Sequence, residues 1–171
     1  MSKDWAKDVT QAVEEIAAAA DSAAAPRPVT EEFGEVFISL GKAAGHADRL
    51  ASSGSAGRTA REHFRRHMLD VGVMVVLILR RGYEQQGGPT PTELTGELAR
   101  RRLIPGQQAE SKVVEPPPGH AAGALGAAIV ALGRAVTIQL DADNPRGLDD
   151  AMESVLAAAI AAVALAPPEL P

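Results

Sequence analysis

Apolar residues recur along this chain at helical spacing. Val9, Val13, Ile16 and Ala20 follow one another at intervals of 4, 3 and 4, which lays a single apolar stripe along a helix. That helix is predicted over 4–25 and is ended by Pro26 and Pro28. A second helix is predicted over 31–52, with Thr30 as its N-cap and Glu31 and Glu32 in the first turn, where negative charge suits the helix dipole. Its stripe is Phe33, Val36, Phe37, Leu40, Ala44 and Ala47, and Glu32, Glu35, Ser39 and Lys42 lie along a neighbouring face. Ser52-Ser53-Gly54-Ser55-Ala56-Gly57 reads as a flexible loop. A third helix covers 59–83. Its first half is charged, and its second half, 68–79, is apolar all round, as a central buried helix is. A turn region over 85–91, a short helix over 92–103 and a Pro-rich linker over 104–119 follow. Two more helices, 121–140 and 148–166, are joined through Asn144-Pro145-Arg146-Gly147 and ended by Pro167-Pro168.

A repeat runs through this pattern. Gly34-Glu35-Val36-Phe37-Ile38-Ser39-Leu40-Gly41-Lys42-Ala43-Ala44 aligns with Gly126-Ala127-Ala128-Ile129-Val130-Ala131-Leu132-Gly133-Arg134-Ala135-Val136. Each copy opens a long helix, and each is followed by a helix with a strongly apolar second half. The expected fold class is therefore all-α: a four-helix bundle from two helical hairpins, with an N-terminal helix and a linker, in one domain over 1–171. The hairpins are placed at 30–83 and 120–166. Ala/Gly-rich helices also resemble one another by composition alone, and that reading stays open. The second copy has Gly123, Ala124 and Ala127 where the first has Glu31, Glu32 and Glu35, so only the first keeps an acidic cluster.

Composition narrows the function. The 171 residues are 46% hydrophobic but only 3% aromatic, so alanine and aliphatic side chains must build the core, which favours closely packed helices. A net charge of −5 argues against a nucleic-acid partner, which calls for a basic face. Without cysteine, any metal must be held by carboxylate, imidazole, carbonyl or water. The polar start shows no signal-peptide pattern, and none is expected. Residues 68–79 are too few to span a bilayer, and 121–140 is rich in Gly and Ala and carries Arg134. A cytoplasmic protein without a membrane partner is expected.

Chemistry concentrates in the first hairpin. Glu32 and Glu35 lie one turn apart on one helical face. Asp70 is a lone carboxylate inside the apolar run, a costly placement unless it is paired or holds a metal. Carboxylates converging between two helices make a hard-oxygen cation site of the kind Mg²⁺ uses when it also grips a phosphate. Bland readings stand beside this one. The glutamates fit an ordinary solvated first turn, and Asp70 can pair with Arg66 at i−4. His63 and His67, at i and i+4, can bind a metal but lack the His-Glu-x-x-His signature, and at a charged helix start they are expected to face solvent. Arg100-Arg101-Arg102 lacks the flanking turn of a DNA-reading helix. Trp5 and Tyr83 either stack on a base or close the end of the bundle.

Glu31-Glu32-Phe33-Gly34-Glu35-Val36 resembles the opening motif of the MazG-like all-α nucleoside triphosphate pyrophosphohydrolases, and Asp70-Val71 before its apolar run resembles their second motif. The match covers 30–83. The resemblance implies that Glu32, Glu35 and Asp70 bind Mg²⁺ or Mn²⁺ and that a nucleoside triphosphate is split between its α- and β-phosphates. Glu31 or Glu35 would accept the proton of the attacking water, and Lys42, Arg80 or Arg81 would meet the phosphates. It also implies assembly from paired hairpins, through a homo-oligomer or a fused pseudo-dimer. One departure is plain: the second motif calls for glutamate where this chain has His67. Imidazole prefers softer metals than Mg²⁺, so His67 either ligates, contacts phosphate, or marks a site that has lost catalysis. The competing function is a non-catalytic helical interaction or scaffold protein on the same decayed frame.

Overall fold

Each apolar stripe finds a partner helix. The structure, a computed structural model, describes residues 4–23, 29–81, 89–104, 120–140 and 145–166, with the side chains at 29–32, 81, 139–140 and 145–146 outside that description. The described residues are all-helical: α1 (Trp5–Asp21), α2 (Val29–Ala47), α3 (Gly54–Arg81), α4 (Pro91–Arg102), α5 (Ala121–Leu140) and α6 (Pro145–Leu165). Tyr83 and most of the predicted linker, 105–119, lie outside the described residues.

α3 and α6 pack against each other at the centre. α6 buries its second half on all sides, whereas α3 buries one face of its own and leaves Leu69, Val73, Met74, Leu77 and Ile78 half-buried. Met68, Val71, Val75, Val76 and Leu79 are buried in α3, and every residue from Val155 to Ala164 is buried in α6. α2 lies along α3, α5 lies along α6, and α2 and α5 touch. α1 packs on α3, α4 and α6 through Trp5, Val9, Val13, Ile16 and Ala20, the predicted stripe joined by Trp5. Residues 121–138 of α5 are long and apolar enough to cross a membrane by length and composition. Here Ala124, Ala128, Leu132 and Ala135 of that segment are buried in the protein core.

Polar ties fix the outer helices. The Trp5 indole N–H donates to the Leu103 carbonyl at 2.7 Å, so Trp5 is a core residue that pins α1 to the end of α4, and base stacking is closed to it. Arg65 clasps both carboxylate oxygens of Glu15, at 2.6 and 2.7 Å, which joins α3 to α1 in the bidentate form that gives such pairs their strength. α4 opens with a capping box between Thr90 and Glu93, and Pro91 occupies its first turn, as the chemistry of exposed helix N–H groups favours. Arg102 reaches Ser154, Asp150 and Glu153, and Arg101 reaches Glu97 and Glu153. Two cations of the arginine run are thus engaged in acidic contacts.

Three local expectations are corrected. Gly54–Gly57 begins α3 rather than forming a flexible loop. Gly54 has φ of 78°, a conformation glycine adopts without steric cost. Pro145 starts α6 rather than joining helices, because a residue without an N–H loses nothing in the first turn. α2 is rotated from its predicted face. Val36, Ser39, Leu40 and Ala43 are buried, while Phe37 is 49% exposed. The small Ser39 and Ala43 occupy the buried face in place of the ring.

Most of the aligned repeat positions share their environments, Glu35 with Ala127 and Ala44 with Val136 being the exceptions. Val36 and Ala128, Ser39 and Ala131, Leu40 and Leu132, and Ala43 and Ala135 are buried in pairs. Phe37 and Ile129, Ile38 and Val130, and Lys42 and Arg134 are exposed in pairs.

Gly72 of α3 lies directly against Ile16 of α1. A Cβ there would meet the Ile16 side chain at 2.8 Å, and Ile16 is fully buried. Gly72→Ala is expected to lower stability by about 1–3 kcal/mol through overpacking, read as a reduced denaturant midpoint with an unchanged m-value.

Candidate functional site

The seam between α2 and α3 brings three histidines and Asp70 together, and its register is set by the connection over 48–53. A Cβ on Gly57 would lie 1.8 Å from the Ser52 carbonyl oxygen, so only glycine lets the backbone fold back this tightly. Arg61 donates to the carbonyls of Leu50 and Ser52 at 3.1 and 3.2 Å. The two helices therefore run antiparallel from a braced turn.

That register brings His46, near the end of α2, against His63 and His67 of α3. Ring centroids are 5.0 Å apart for His46 and His63, 5.9 Å for His46 and His67, and 6.5 Å for His63 and His67. One ligand atom from each imidazole lies within 4.8 Å of the others. All three are half-buried. The expectation that His63 and His67 face solvent is thereby corrected: spaced at i and i+4, they share the α3 face that α2 covers. A groove of about 280 Å³, lined by His46, Arg49, Ser55, Ala56, Thr59 and Ala60, opens beside the cluster.

Asp70 follows His67 by one turn and is half-buried. Burial pushes its carboxyl above the usual carboxylate range, and the charges of His67, Arg66 and Lys42 pull it partly back. Arg66 is exposed, and no ion pair joins it to Asp70, so the i−4 pairing does not form. Burial pushes the His67 imidazole below its ordinary value. Asp70 opposes that shift, while His46, Lys42 and His63 add to it. At neutral pH His67 therefore favours neutral imidazole, the form that ligates metal.

The other predicted site residues fall at different levels. With His46 opposite His63 and His67, Lys42 stands near Asp70, whereas Glu35 stands near Val76. The offset between Glu35 and Asp70 is about 9 Å along the axis. Glu35 is half-buried and has an interaction of its own. Glu31 and Glu32 lie in the first turn of α2, their side chains outside the described residues. Arg80 is half-buried ten residues beyond Asp70, about 15 Å along α3. The Arg81 side chain also lies outside the described residues. Of the predicted metal ligands, His67 joins the imidazole cluster and Asp70 adjoins it.

Sequence reasoning missed His46 and His63 as members of one group. The His63/His67 spacing was a usable signal. The third imidazole is carried on another helix, and its place depends on the tight turn at Gly57. His120 plays no part: its Nδ1 accepts from the Gly123 N–H at 2.9 Å and caps α5. No known protein family, curated protein or solved structure matches this chain.

Proposed function

We propose that this protein is a divalent-metal-dependent nucleoside triphosphate pyrophosphohydrolase with its centre on the α2–α3 seam. It is built as two hairpins, the second without acidic ligands, in a four-helix bundle. The observation that carries the reading is Asp70: a half-buried carboxylate in an apolar helix, without an ion pair among the described residues, beside His67 and Lys42. Such a group has lone pairs to offer and a proton affinity raised by burial, a combination found where chemistry is done. The shared burial of aligned positions in α2 and α5 supports the duplication.

The donor set fits a divalent ion, with Mn²⁺ favoured over Mg²⁺ because an imidazole adjoins the carboxylate. When bound, such an ion neutralises phosphate charge and makes its water more acidic. Asp70 and His67 would hold it, and Glu32 and Glu35, farther along α2, would hold a second ion. Lys42, exposed on the same seam, would meet the phosphates, and Arg80 and Arg81 would act at the far end of α3. Glu31 or Glu35 would accept the proton as water attacks the α-phosphorus and the bond to the bridging oxygen breaks, releasing pyrophosphate.

The test is a panel of nucleoside and deoxynucleoside triphosphates with Mg²⁺ or Mn²⁺, read as pyrophosphate released. Turnover of at least one substrate, dependent on the metal, is expected. No release from any of them, together with no thermal shift on adding metal, would overturn the reading. What then stands is the interaction or scaffold protein, which the exposed Phe37, Ile38, Ile129 and Val130 favour.

A further inference from the structure

We propose that His46, His63 and His67 together bind one borderline transition-metal ion, Zn²⁺ foremost, with an exchangeable position left open toward the adjoining groove. This site needs no carboxylate ligand, and it shares only His67 with the hydrolase reading.

Three nitrogen donors from two helices meet at one point. Tetrahedral coordination at bonds near 2.0–2.1 Å brings such nitrogens to about 3.3–3.4 Å from one another. The 4.8 Å limit that now encloses them is within reach of small side-chain rotations, since all three rings are only half-buried. The backbone need not move, because Gly57 and Arg61 already hold the two helices in register. Among the described residues no hydrogen bond occupies these imidazoles, so their nitrogens are available. Plain packing accounts poorly for the cluster. A seam that otherwise uses Val36, Leu40 and Ala43 has three polar rings at one level.

The donor type selects the ion. Mg²⁺ asks for oxygen ligands in near-octahedral array, whereas imidazole suits zinc, copper, iron and nickel. Three protein ligands with a free position are the pattern of reactive rather than purely structural zinc. His46 lines the groove of about 280 Å³, and Arg49 lies on its wall. A small anion, inorganic phosphate for example, would find a cation and the metal side by side. Asp70, one turn from His67, offsets part of the ion's charge.

The experiment is a titration of the full chain with Co²⁺, followed by its visible d–d absorption. One equivalent per chain is expected to give the intense bands of four- or five-coordinate cobalt, bleached by Zn²⁺ and not by Mg²⁺. His46→Ala and His63→Ala are each expected to weaken binding by more than about 100-fold, beyond the range seen for outer-shell partners. Far-ultraviolet circular dichroism verifies that the helices persist, and His46→Gln serves if the alanine variant does not fold. Bands no stronger than those of aqueous Co²⁺, or full affinity in folded His46→Ala or His46→Gln, would overturn the proposal. The readout needs no substrate, so it can fail while pyrophosphate release persists, or succeed without it.

Discussion

Replacing Trp5 with alanine is expected to cost about 3–5 kcal/mol, the range for truncating a buried large aromatic. Trp5 is 7% exposed and stands at the head of the apolar stripe of α1. Its loss would leave a cavity between α1 and α4. It would also strip the Leu103 carbonyl of the indole N–H that now reaches it at 2.7 Å. Trp5→Phe separates the two contributions: most of the apolar burial returns while the hydrogen bond stays lost, at a net cost of about 1 kcal/mol or somewhat more. Urea denaturation of both variants checks the order, with alanine far below phenylalanine. Equal midpoints would show that the indole hydrogen bond rather than packing dominates.

Asp70→Asn is expected to act in opposite directions on stability and activity. Burial raises the carboxyl in the folded chain above its ordinary value of 3.8, so the folded state holds the proton more tightly than the unfolded state. Stability from this group is present at low pH and falls as pH rises from 3.8 through the folded value. At pH 7 the charged form burdens the fold, and asparagine, nearly the same shape without the charge, relieves it. The variant should melt at a higher temperature than the parent at pH 7 in metal-free buffer, and the gap should close on acidification. The same change removes a metal-holding carboxylate, and pyrophosphate release should drop by about 10²–10⁴-fold. A variant that is both less stable and fully active would contradict the placement of Asp70 in the centre.

The core was legible in the sequence wherever hydrophobicity ran all round a helix. The second half of α6 leaves no polar face for water, and 68–79 has only Asp70, so both had to lie against the core. The stripe of α1 was legible for the same reason. The rotation of α2 was not. Its sequence offers apolar residues on more than one face, and which face turns inward depends on where Ser39 and Ala43 let α3 come close. Phe37, a strong apolar signal, points outward as a result. The site divides similarly. Asp70 announced itself as a carboxylate in hydrocarbon, and His63 with His67 as a one-turn pair. The third imidazole could not be read, because its level against α3 is set by one turn in which Gly57 meets the Ser52 carbonyl. The same register separates Glu35 from Asp70 along the seam.

The most direct test of the central claim is the location of the metal when nucleotide is present. Mn²⁺ broadens the amide signals of residues close to it. Titrated into isotopically labelled protein with a non-hydrolysable nucleoside triphosphate, it is expected to erase signals first around Lys42, His67 and Asp70, more strongly with the nucleotide than without. Broadening that spares this seam and follows other acidic surface, or that ignores the nucleotide, would contradict the account.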